Sequence, residues 1–175
     1  MTKQTIFIDN LTFAKRNECL LGELSLADCP RLNELLQAPP KIAPGKFTPS
    51  ASIKFNLQGK LDGMGQASLS LALEVNLNCL CQRCLNAMPL NLALNFDYLL
   101  GELDEGHALS TDMDEADDFD WQAYSPHMDV IGLIEDELIM AMPIAPVHQQ
   151  HCGSANHQSG EKPNPFAVLK HLIQS

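Results

Sequence analysis

Cys81-Gln82-Arg83-Cys84 places two thiols three positions apart, a spacing that lets one tight turn aim both at a single ion. Farther along the chain, His148, His151 and Cys152 supply more nitrogen and sulfur donors. A structural zinc ion takes four such ligands in a closed tetrahedron, and Cys81, Cys84, His148 and Cys152 would complete one. Such a set would staple the Cys81–Cys84 turn to the segment around His148. The same thiols admit a plainer reading, since free cysteines near strand ends are often small buried hydrophobes. A third reading is a thiol- or zinc-dependent enzyme or redox protein centred on Cys81 and Cys84. Redox dithiols, however, usually open a helix after a strand, and this pair lies between two strand patterns.

Other side chains invite chemistry and also have ordinary uses. Arg83 could clamp a phosphate or carboxylate, or simply be a solvated turn residue. Glu135-Asp136-Glu137 cannot form a catalytic pair alone, because neighbouring helical positions point in different directions. Asp136 and Glu137 could meet a basic partner or cap another element; the ordinary reading of the triplet is one charged helix face. Trp121, the single tryptophan, could anchor a partner, although a core role is commoner. No phosphate loop, dinucleotide turn, nucleophile elbow or His-Glu-x-x-His pair is present. The residues themselves therefore point to a soluble α+β domain with an unusual cysteine hairpin and name no function.

The elements that must position these groups follow from apolar periodicity. Ala67, Leu69, Leu71, Leu73, Val75, Leu77 and Cys79 alternate with mostly polar residues, so the segment reads as a strand with one buried face. The pattern resumes at Leu90, Leu92, Leu94, Phe96 and Tyr98, giving an antiparallel hairpin whose turn lies between Cys81 and Pro89. Ile53, Phe55 and Leu57 add a preceding strand and make a three-stranded meander; Ile6-Phe7-Ile8 suggests another short strand.

Asp129 is placed to cap a helix running to about Met142, ended by Pro143 and Pro146. A second helix is expected over Asp28 to Gln37, before Pro39-Pro40. A third is expected after Asn164-Pro165, with Phe166 and Leu169 on its apolar stripe. The expected fold class is α+β, a single domain over 1–175 with helices packed on an antiparallel sheet. Two segments read as mobile. Residues 102–120 hold nine carboxylates and no Lys or Arg, and 151–163 is rich in Gly, Ser, Asn and Gln.

The chain has 175 residues, 45% of them hydrophobic, enough for a substantial core. Eleven Lys and Arg against 22 Asp and Glu give a net charge of -11. Such a surface repels phosphate backbones at long range, so RNA contact needs a local basic patch or an intermediary protein. Basic proteins are the favoured partners, and no small-molecule substrate is expected. No secretory signal or membrane-length apolar run is visible, so the expected location is cytoplasmic and the cysteines are expected to be reduced.

Three segments together resemble the YceD family, the large ribosomal RNA subunit accumulation proteins of bacteria. They are Cys81-Gln-Arg-Cys84, the run from Leu133 through Glu135-Asp136-Glu137 to His148 with Cys152 close behind, and Lys162-Pro-Asn-Pro-Phe-Ala-Val-Leu-Lys170. Cys81, Cys84, Glu135, Asp136, Glu137, Pro143, Pro146, His148, Cys152, Asn164, Pro165 and Phe166 match its motifs. The resemblance implies a non-catalytic ribosome biogenesis factor needed for normal levels of 23S ribosomal RNA, contacting that RNA, a ribosomal protein or an assembly factor. Arg83, Glu135, Asp136, Glu137, Asn164 and Phe166 are the candidate partner-binding residues. Cys79 is a thiol the pattern does not require.

Overall fold

The computed structural model describes residues 5–37, 47–102, 120–149 and 152. The long alternating runs become the centre of a five-stranded sheet. β3 (Ser50–Leu61), β4 (Ala67–Leu80) and β5 (Ala87–Gly101) form the expected meander. Their register aligns the apolar positions across strands: Phe55 lies opposite Leu73, which lies opposite Leu94. One face is therefore continuous and apolar, and Ile53, Leu57, Leu71 and Val75 are buried on it. The other face carries Lys54, Asn56, Glu74, Asn91 and Asn95.

The sheet is wider than the sequence pattern indicated. β2 (Cys19–Ser25) adds to β3, and β6 (Asp120–Ala123) adds to β5, giving the order β2-β3-β4-β5-β6. The β5–β6 pair is parallel, so the sheet is mostly rather than wholly antiparallel. β2 escaped periodicity because Gly22 takes an inward position while Leu21 faces out and is well exposed. The ring of Phe55 fills the space a side chain would need: a Cβ at Gly22 would lie 2.5 Å from Phe55 Cε1.

The helices cover the apolar face. α1 (Asn10–Lys15) begins at Asp9, whose carboxylate accepts from the Thr12 N–H at 2.9 Å. It rests on β3 at Gly59, where a Cβ would stand 2.7 Å from both Ala14 Cα and the Phe13 carbonyl oxygen. Gly59→Ala is therefore expected to lift α1 and destabilise the fold by about 1–3 kcal/mol, the usual range for overpacking. Urea melts would check it, and an unchanged midpoint would remove the close approach as a constraint.

α2 (Pro30–Leu36) lies within the expected span and buries Leu32 and Leu36. α3 (Val130–Ala141) is capped as expected by Asp129, which accepts from Ile131 and Gly132, and its Ile134 and Leu138 are fully buried. Met142 turns extended ahead of Pro143, because a pre-proline residue is driven out of helical conformation. Phe7–Ile8 does form a strand, β1, but its partner is a small separate ribbon with β7 (Met128–Asp129).

A buried polar residue that the sequence did not flag ties these parts together. Asn10 donates to the Ala123 carbonyl at 2.8 Å and accepts from the Ser125 N–H at 3.0 Å, joining α1 to the turn before β7. Trp121 departs from the core expectation. It is half exposed, with its indole lying over Gly101. The expected helix after Asn164-Pro165, Phe166, residues 103–119 and most of 151–163 lie outside the described residues. No helix among the described residues is long and apolar enough to cross a membrane.

Candidate metal centre

The hairpin between β4 and β5 turns within Cys81–Asn86. Its corner is closed by two backbone bonds: the Leu85 N–H donates to the Cys81 carbonyl and the Cys81 N–H to that of Asn86, each at 2.9 Å. Leu85 adopts a left-handed conformation with φ 59°, which lets the chain reverse directly after Cys84. The Gln82 N–H, at the tip, donates to the Pro146 carbonyl at 2.8 Å. This bond brings the segment beyond α3 alongside the hairpin, and α3 ends where it does because Pro143 follows Met142.

Those constraints gather Cys81, Cys84, His148 and Cys152. Their ligand atoms all lie within 4.8 Å of one another. Cys81 Sγ is 3.7 Å from Cys152 Sγ, and Cys84 Sγ is 3.5 Å from His148 Nδ1. Residues 64 and 71 positions apart thus share one spot, with Cys81 buried and the others half-buried. This is the set expected from residue types alone, and it could hold a metal ion.

The surroundings favour thiolate at the deepest ligand. Burial pushes the Cys81 thiol up, but backbone N–H groups of Cys84, His148 and Arg83 aim at its sulfur and outweigh that, taking it down to about 5. Burial and the neighbouring Cys81 and Cys84 sulfurs push Cys152 the other way, since thiolates this close repel a further negative charge. A cation between them would relieve that repulsion. Cys79 stands apart: its side chain is buried in the apolar face and its thiol is pushed up by burial. His151 lies outside the described residues.

The remaining candidates are distributed differently. Arg83 is exposed at the hairpin tip, and its guanidinium has no partner among the described residues. Glu135 is turned inward and buried, the opposite of a docking residue. Its Oε1 accepts from the Arg31 and Leu32 N–H groups at 2.6 and 2.9 Å, and Oε2 accepts from Arg31 Nε at 3.1 Å. Asp136 pairs with the outer nitrogen of the same guanidinium at 2.6 Å. Glu137 accepts the Tyr98 hydroxyl at 2.8 Å. The three carboxylates do diverge, as adjacent helical positions must: Glu135 reaches the start of α2 and shares Arg31 with Asp136, while Glu137 turns to Tyr98. Asn164 lies outside the described residues.

Beside the centre, the end of α2, the hairpin and the Pro143–Pro146 segment enclose an apolar groove of about 520 Å³. Leu35, Leu85 and Ile144 on its walls are exposed. No local pattern announces this groove, because its walls come from three separated segments.

The model of the family described as large ribosomal RNA subunit accumulation protein YceD matches residues 69–173. The chain belongs to the YceD family. The matched stretch opens on β4 and takes in the hairpin, α3 and all four candidate ligands. A YceD protein of Haemophilus influenzae, carrying that same description, is 32% identical over 118 residues. That alignment covers 58% of this chain and 62% of the relative, so the chain spans about three-fifths of the length of the relative it matches. No solved structure matches the chain.

Proposed function

We propose that this chain is a non-catalytic factor that supports accumulation of large-subunit (23S) ribosomal RNA, and that a zinc ion held by Cys81, Cys84, His148 and Cys152 organises its binding surface. Membership of the YceD family is the observation that carries the ribosomal reading. Geometry supports the metal. Zinc bonds of about 2.3 Å to sulfur and 2.0–2.1 Å to nitrogen imply tetrahedral edges of about 3.8 Å between sulfurs and 3.6 Å from sulfur to nitrogen. The separations of 3.7 and 3.5 Å are close to both.

Four protein ligands close the coordination shell, which leaves no position for a substrate or activated water. The same closure argues against the enzyme reading, as does the location of the thiols in a hairpin rather than at a helix start. The working location is the cytoplasm, where reduced thiols are available to a metal.

The direct partner is best read as a basic ribosomal protein or assembly factor. A net charge of -11 attracts such a surface and repels RNA. The second reading, direct RNA contact, rests on Arg83, whose exposed guanidinium stands beside the centre.

The test is the ratio of large- to small-subunit ribosomal RNA in cells depleted of this protein. A selective fall in the large-subunit RNA, rescued by the wild-type chain, is the expected result. An unchanged ratio removes the ribosomal assignment. If RNA is the partner, Arg83→Glu fails to rescue; rescue by Arg83→Glu leaves the protein route.

A further inference from the structure

The sheet ends on two edges, and they are guarded unequally. β2 is short, and its Glu23 faces the exposed side. β5 is 15 residues long, and β6 pairs only with Tyr98–Gly101. Among the described residues, nothing pairs with the outer edge of β5 from Ala87 to Asp97. Edge strands usually deter added strands with lysine or other charges, bulges or short length. Here the sequence Leu90-Asn-Leu-Ala-Leu-Asn-Phe96 has no charge at all. Pro89 is the one blocking residue, near the start of the strand.

The side chains along this edge also look underused. Leu90, Leu92, Leu94 and Phe96 point to the apolar face yet are only half-buried, whereas the matching row on β4 is fully buried. An added strand would cover them with every second side chain.

Charge at the far end of the edge has one sign. Asp97, Asp120 and Glu137 all raise the Tyr98 phenol through their charges, although burial is the larger cause. β5, β6 and α3 together contain no Lys or Arg. Asp120 shares the apolar side with Tyr98 through its register, and Asp97 faces the other side, so carboxylates flank the lane on both faces.

We propose that the edge of β5 left unpaired among the described residues, from about Asn91 to Asp97, receives an extended basic polypeptide segment as an added strand. Alternate apolar side chains of that segment cover Leu92, Leu94 and Phe96, and its Lys or Arg residues, on the opposite face, meet Asp97. The mode is β-strand addition, in which main-chain bonds give affinity and alternate side chains give selectivity. It rests on reading the chain as a binding module for basic proteins and names the surface that would do the binding.

The probe is a labelled synthetic peptide of about ten residues alternating Val and Lys, long enough to span the edge. Anisotropy titration should show saturable binding to the full chain, and hydrogen exchange should show new protection at Asn91–Asp97. N-methylating every second peptide nitrogen in one frame should weaken binding by about tenfold or more, while the other frame is tolerated, because a strand turns alternate amides to its neighbour. The variant D97K should weaken the unmodified peptide similarly and leave the melting temperature near wild type.

Equal binding by both methylated frames overturns strand addition, and equal binding by a Val-Glu peptide overturns the basic partner. Self-association of the chain through β5, seen by sedimentation and exchange, assigns the edge to a second copy and also overturns the proposal. The readout is independent of ribosomal RNA levels, so its failure and that of the biogenesis reading are separable.

Discussion

Protein purified without chelator is expected to carry about one zinc ion per chain, and Cys84→Ser to lose it. Cys19→Ser is the matched control. Cys19 is exposed, its thiol near Asn56 Oδ1 on the outer sheet face, and its loss should leave the metal in place. Structural zinc can supply the whole folding energy of a small domain, on the order of 10 kcal/mol. That is not the expectation here. The apolar face beneath α1, α2 and α3 is already closed by buried residues from every large element, so the sheet does not need the ion.

What a bound ion would hold is the junction of the hairpin tip with the segment after α3. Among the described residues, the Gln82–Pro146 bond is the one backbone–backbone bond between the two, and it alone would hold them weakly. Removing zinc should therefore abolish amide protection at Gln82 and at the N–H groups aimed at Cys81, leave far-UV dichroism nearly unchanged, and open the groove beside Leu85 and Ile144. A metal-free preparation with the same protection pattern would show that the four side chains simply pack together. Depletion phenotypes rescued by Cys19→Ser but not by Cys84→Ser would link the centre to the cellular role.

The second large effect is expected at Glu135. α2 has no cap of its own: Cys29 at its N-cap position makes no side-chain cap bond, and Pro30 has no N–H. The first turn of a helix leaves its N–H groups unpaired unless something reaches them. Glu135 reaches them from α3 and brings a full negative charge to the positive end of the helix. Because the carboxylate is buried, Glu135→Ala leaves those donors stranded in the interior. A loss of about 2–4 kcal/mol follows from bonds to a charged acceptor plus the unsatisfied donors.

Asp136→Asn should cost under about 1 kcal/mol, because that ion pair is largely in solvent. Urea melts of the two variants and of Arg31→Ala would check the contrast. If Glu135→Ala were as mild as Asp136→Asn, the cap would contribute little, and the carboxylate would need another explanation. A partner-binding role for the triplet then falls to Asp136 and Glu137, which keep part of their surface exposed.

Much of this was legible from residues in order. The period of two in Ala67–Cys79 and Leu90–Tyr98 is local: each strand buries one face, so its own alternation records which. Asp129 as a cap and Pro143 as a stop are likewise decided within a few residues. The four candidate ligands were named from chemistry, because thiolate and imidazole are the usual donors of a closed structural zinc site, and the fold then brought them together.

The remainder depends on pairings between distant segments, which no local pattern records. β6 joins β5 in parallel after a long acidic connection, and β2 hides its register behind Gly22 and the Phe55 ring. Glu135 looked like one member of a charged face, yet it lies against a helix start about a hundred residues earlier. Asn10 carried no sign of its buried bonds to Ala123 and Ser125. The sequence by itself determined the central hairpin, the bounds of α3 and the identity of the candidate ligands, because these follow from periodicity and donor chemistry. Only the tertiary structure decided which carboxylate turns inward and which strand edge is left unpaired among the described residues, because burial and pairing are properties of what else arrives at the same place.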